Sequence, residues 1–83
     1  MTFRVLVRVM PRAGLLDPEG QAVERALAEL GFREAAEVRM GRAVELAVEA
    51  ASAEDAGRLV QTMCERLLAN PVTEDFSFEV ITP

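Results

Sequence analysis

The chain opens on a strict alternation. In TFRVLVRVM (Thr2 to Met10) the apolar Phe3, Val5, Val7 and Val9 share one face, and Arg4, Leu6 and Arg8 share the other. β-branched residues at period two predict a half-buried strand. The period then changes. Asp17 stands directly before Pro18, a helix-start signal in which the carboxylate accepts N–H groups of the first turn and proline loses no bond. Val23, Ala26, Leu27 and Leu30 follow at i, i+3, i+4 and i+7, with Glu24, Arg25 and Glu29 on the polar side. One apolar stripe predicts an amphipathic helix, and Gly31 ends it in a left-handed cap.

EVRMGRAVELAVEA (Glu37 to Ala50) holds two short alternating runs around Gly41 and Arg42. They predict a hairpin with a glycine-first, type II′ turn, Val38 and Met40 before it and Val44, Leu46 and Val48 after it. A second helix starts at the Ser52 cap and buries Ala56, Leu59, Val60, Met63, Leu67 and Leu68, with Cys64 at the edge of the stripe; Asn70–Pro71 ends it. The last run, EDFSFEVI, alternates again with Phe76, Phe78 and Val80 inward. The order β-α-β-β-α-β, with one apolar face on each helix, predicts an α+β fold. This is a two-layer sandwich of ferredoxin-like type, with both helices on one side of an antiparallel sheet. The opposite face, carrying Arg4, Leu6, Arg8, Ala47, Glu79 and Ile81, is then open. That face or a sheet edge is the expected surface for self-association.

Composition narrows the chemistry. The 83 residues carry 9 basic and 14 acidic groups, a net charge of −5, and every basic residue is an arginine. An acidic balance argues against nucleic acid and against an anionic membrane surface. No apolar run is long enough for a membrane span, and the amino end lacks a signal-peptide pattern, so a cytoplasmic protein is expected. Histidine, lysine, tryptophan and tyrosine are all missing. Imidazole acid–base chemistry, Schiff bases and a phosphate-loop lysine are thereby excluded. One cysteine cannot form a disulfide within the chain, and a core this small gains stability by association.

Candidate sites thin out on inspection. Cys64 sits mid-helix with no base to activate it and reads as a small core hydrophobe. The acids Glu34 and Glu37, or Glu54 and Asp55, have no histidine beside them and no calcium-loop spacing, so a metal site is not expected. The start of the first helix would repel an anion through Asp17 and Glu19. No catalytic constellation and no cofactor site is expected in the chain. Two other roles stay open on the residues alone. One is a regulatory module that binds an amino acid at a dimer interface. The other is a small acyl phosphatase, disfavoured because Arg12 lies in no phosphate loop and the only asparagine follows the second helix.

Three stretches together carry a resemblance: LLDPEGQAVERAL, VRMGRAVEL and MCERLLANPVTEDFSFEV. In order and spacing they resemble the small-subunit family of phosphoribosylformylglycinamidine synthase, the PurS family, over nearly the whole chain. The resemblance implies one small-subunit domain over residues 1–83, itself non-catalytic but part of a glutamine-dependent, ATP-consuming ligase of de novo purine synthesis. It implies self-association as a dimer or tetramer. It also implies two larger partners, a synthetase that uses ATP and magnesium and a glutaminase, between which the small subunit supports ammonia transfer. The loop and turn residues Asp17, Arg39, Arg42, Asn70, Glu74 and Asp75 are the expected partner contacts, Asp17 and Asn70 also serving as helix terminators.

Overall fold

A computed structural model describes residues 1–82. Strand β1 (Thr2–Pro11) is followed by helix α1 (Pro18–Glu29), strand β2 (Arg42–Glu49), helix α2 (Ala53–Met63) and strand β3 (Glu74–Thr82). The strands form one antiparallel sheet in the order β2-β1-β3. Register follows the alternation of β1: Val5 lies opposite Leu46 and Val80, and Val7 opposite Val44 and Phe78. One face of the sheet is therefore apolar apart from Arg42 and Glu74 at one end, and α2 packs onto it, chiefly over β3. Phe3, Val5, Val7, Val9, Val48, Ala56, Val60, Cys64 and Ala69 are buried together there. On the other face Arg8 pairs across the sheet with Glu79 at 3.3 Å.

The helix caps form as the sequence dictates. The Asp17 carboxylate accepts the Gly20 N–H at 3.0 Å, and the Ser52 hydroxyl accepts the Asp55 N–H at 3.1 Å. At the far end of α1, Gly31 takes φ 98°, the Phe32 N–H donates to the Leu27 carbonyl and the Gly31 N–H to that of Ala28. This pair of bonds satisfies carbonyls that the last turn would otherwise leave free.

The α+β class and antiparallel ferredoxin-like layering match the expectation, with three differences in detail. The first is the number of strands. Among the described residues the sheet has three strands, because residues 38–40 join no ladder. Gly41 does not adopt the positive φ that a type II′ turn demands, and β2 begins at the next residue. Glycine is needed there for another reason: a Cβ at position 41 would collide with the Val9 carbonyl and the Met10 sulfur.

The second difference concerns α1, expected beside α2 on the sheet. It contributes no residue to the buried core, and of its stripe only Val23 and Leu27 are even half-buried. Leu30 keeps 73% of its surface exposed, and Leu16, just before the helix, also 73%. The helix and residues 38–40 form an arm that stands off from the sheet. The radius of gyration is 16.1 Å and the molecule measures 50 × 26 × 13 Å. A compact chain of this length would have a radius near about 12 Å.

Third, α2 does not keep a straight stripe. It continues into a π-helical turn, Cys64–Leu68, closed by the Ala69 N–H donating to the Cys64 carbonyl at 3.1 Å. The wider turn inserts an extra residue and rotates the positions after it. Leu68 stays partly covered while Leu67 is turned out to solvent, and Leu59 and Met63 are left on an exposed flank. Cys64, expected at the stripe's edge, is at its centre and fully buried.

Candidate functional site

The six expected contact residues divide between two places. Asp17 and Arg39 meet at the root of the arm. One Asp17 oxygen caps α1, and the other accepts the Met40 N–H at 2.9 Å. Glu24, about two turns further along, accepts the Val38 N–H at 3.0 Å. Two carboxylates of the helix thus take the place of a neighbouring strand for alternate N–H groups of residues 38–40, which holds helix and segment together. The Met40 and Gly20 N–H groups, in that order, hold the Asp17 carboxyl below its ordinary 3.8, with the Arg39 charge adding to the effect. Gly20 is required at this joint, since a Cβ would run into the Val38 carbonyl and the Asp17 side chain. Beside the joint lies an open hollow of about 600 Å³ whose lining includes Leu15, Leu16, Asp17, Glu24, Val38 and Arg39. Glu37, at its rim, takes φ 55°, a left-handed conformation uncommon for a residue with a Cβ.

Arg42, Asn70, Glu74 and Asp75 gather at the opposite side of the sheet's end, around the turn between α2 and β3. Arg42 grips Glu74 with two nitrogens, at 2.7 and 3.0 Å, and also donates to the Leu68 carbonyl of the π turn. Glu74 accepts the Asn70 N–H at 2.7 Å, and the Asn70 side chain accepts the Val72 N–H at 2.9 Å. The Arg42 guanidinium, then the Asn70 N–H, hold the Glu74 carboxyl below its usual range, and Arg42 is correspondingly harder to deprotonate. Asp75 pairs with Arg12 at 3.3 Å, and Arg12 also donates to the Pro71 carbonyl at 2.6 Å. Arg12 and Glu24 complete these two networks and were not among the residues expected to matter. Arg12 follows the central strand directly, and the paired acids Glu74 and Asp75 open the strand beside it; that combination was the available signal.

Chemically the two clusters fix backbone rather than activate a reactant. Asp17 and Glu74 are tied to N–H groups and a guanidinium that stabilise the carboxylate form, which makes them poor proton donors near neutrality. Burial, and then the Glu65 charge, push the Cys64 thiol up, away from the thiolate form that reacts. No set of three or more cysteine or acidic side chains among the described residues converges on a point where a metal ion would sit. No helix is long and apolar enough to cross a membrane. What the molecule presents is surface: a polar corner latched by Arg42 and Arg12, and an arm with apolar residues uncovered.

Comparison with known proteins gives this surface a context. A family model described as PurS, phosphoribosylformylglycinamidine (FGAM) synthase, matches residues 4–82. A relative from Bacillus subtilis, phosphoribosylformylglycinamidine synthase subunit PurS, is 44% identical over 94% of this chain and 92% of its own length. A chain in the structure of PurLQS from Thermotoga maritima superposes with a TM-score of 0.91 at 33% identity, covering 98% of this chain and 99% of that one. The PurS crystal structure from Methanocaldococcus jannaschii, one of the subunits of formylglycinamide ribonucleotide amidotransferase in the purine biosynthetic pathway, gives 0.86 at 32% identity, with 98% of both chains covered.

Proposed function

Since the chain belongs to the PurS family, we propose that it serves as the small, non-catalytic subunit of a phosphoribosylformylglycinamidine synthase in purine biosynthesis. It joins an ATP- and magnesium-using synthetase to a glutaminase and supports the passage of ammonia between them. The complex converts formylglycinamide ribonucleotide to its amidine, and the whole chain acts as one unit of it in the cytoplasm. The observation that carries this reading is the 0.91 TM-score over 98% of the chain to a component of the PurLQS assembly. The family match does not favour the alternative of an amino-acid-binding regulatory module.

The physical role follows from what ammonia transfer needs. A reactive intermediate survives only if the two active sites are held in fixed register and water is kept out between them. A rigid polar corner meets that need better than a mobile loop. Arg42, Glu74 and Asn70 lock the turn after α2, and this presents Asp75 and the neighbouring apolar Val72, 75% exposed, toward a partner. Asp17 fixes the arm root and with it the exposed Arg39. Asp75 and Arg39 are therefore direct contacts, and Asp17, Arg42, Asn70 and Glu74 set their positions.

Co-purification tests the reading. Used as bait in its native extract, the chain retains a synthetase and a glutaminase when glutamine and nucleotide are present. Recovery of neither enzyme would defeat the proposal. Charge reversal at Asp75 lowers that recovery, whereas an unchanged yield would remove Asp75 from the contact surface.

A further inference from the structure

The end of α2 holds one residue more than an α-helical turn accommodates, and two adjacent leucines stand where it is lodged. The Ala69 N–H bonds the Cys64 carbonyl five residues back, which marks a π turn, and insertions of this kind recur at functional sites. Cys64 before the turn and Ala69 after it are both buried, so the turn is anchored in the core at each end. Between these anchors the surplus residue has two places to go. In the structure it lies within the turn, with Leu68 partly covered and Leu67 keeping 82% of its surface exposed. In the other arrangement the helix stays α through Leu67, the Leu68 N–H takes the Cys64 carbonyl, and Leu68 is the residue turned out. The core receives a leucine either way, so burial scarcely separates the two.

Arg42 separates them. Its guanidinium donates to the Leu68 carbonyl and holds Glu74 with two nitrogens, and Glu74 accepts the Asn70 N–H. This ring of bonds crosses the end of the turn from β2 to β3 and fixes the direction of the Leu68 peptide. We propose that Cys64–Leu68 is a one-residue register switch, clamped with Leu67 outward by the bond from Arg42 to the Leu68 carbonyl. Released from the clamp, the helix favours the α arrangement, since π turns are rare without a compensating interaction. The switch decides which leucine the polar corner shows, while the sheet and the body of α2 stay in place. Two discrete packings chosen by one local contact are what a bistable element requires. Arg42 is thus a positioning residue that acts on the surface through the Leu68 peptide.

The switch is a property of the isolated chain, so its failure would leave the proposed function standing. Leu67→Cys and Leu68→Cys are prepared separately in the full chain and titrated with a thiol reagent. Cys64, buried in both, is the slow internal control. With Arg42 in place, the thiol of Leu67→Cys should react at least about tenfold faster than that of Leu68→Cys. Adding Arg42→Ala should slow the first and quicken the second. Their ratio should narrow by about tenfold or more, the effect of losing a charge-assisted bond. Amide exchange reads the same change without new cysteines: Arg42→Ala should remove protection at Ala69 and keep it at Leu68. Glu74→Gln, which loosens the grip on Arg42 while keeping the side chain's shape, should move both readouts the same way by less. An unchanged ratio would show a turn indifferent to Arg42, and both thiols quickening together would show plain fraying; either result overturns the proposal.

Discussion

The two ends of this molecule are built on opposite principles. In the sheet and α2, four consecutive alternate residues of β1 are at most 3% exposed, and every strand contributes to one core. In the arm, an equally regular apolar stripe on α1 buries almost nothing within its own chain. The first is held by burial, which is non-directional and follows apolar area. The second is held by the carboxylates of Asp17 and Glu24 on backbone N–H groups, which are directional and local. The difference shows that an amphipathic pattern tells which face seeks cover without telling whose surface provides it.

The largest expected effect lies in the sealed half. Phe3→Ala should cost about 3–5 kcal/mol in urea unfolding. Leu16→Ala, at a position 73% exposed beside the arm, should change the stability of the isolated chain by no more than about 0.5 kcal/mol. Equal losses at the two sites would mean that the arm is packed in this chain after all.

Glycines sharpen the contrast. Gly57 lies within α2, where a Cβ would meet only a Phe78 ring carbon at 3.8 Å, an ordinary contact. Gly57→Ala should stabilise the helix by about 0.5–1 kcal/mol. Gly20→Ala should do the reverse, pushing α1 off residues 38–40; the amides of Val38 and Met40 should then exchange faster while those of β1 keep their protection. Faster exchange at β1 as well would show the two regions to be one cooperative unit.

The smallest effect is a matter of pH. The folded-state pKa of Asp17 is lowered below 3.8, so its contribution to the arm root is complete above that value and is lost as pH falls through the folded pKa. The Met40 amide resonance should titrate with a midpoint below 3.8, and Asp17→Asn should abolish that titration. A midpoint at or above 3.8 would break the link between the carboxylate and the segment.

Much of this was legible beforehand, for physical reasons. The alternation of β1 gave the central strand, since only a strand puts Phe3, Val5, Val7 and Val9 on one side. Both caps were readable because Asp17 and Ser52 act on their own neighbours within a turn. Local rules failed where the outcome depended on distant surfaces. The alternation at Val38 and Met40 is genuine, but pairing needs a turn at Gly41, and that glycine lacks the positive φ of such a turn and instead leaves room for Val9 and Met10. The π turn at Cys64–Leu68 leaves no mark in the spacing, so Leu67 read as core. Of the candidate contacts, Asp17 and Asn70 were legible as terminators. That Arg42 reaches Glu74 and the Leu68 carbonyl depends on β2 and β3 lying on either side of β1, which no stretch of sequence shows by itself.

The central claim is that the chain acts through its surfaces and contributes no chemistry. Its most direct measurement is amidine synthesis by the synthetase and glutaminase, with and without this chain, from glutamine and from free ammonia in parallel. Omission of the chain should abolish the glutamine-dependent rate and spare much of the ammonia-dependent one. A full glutamine-dependent rate from the two larger subunits alone would contradict the account.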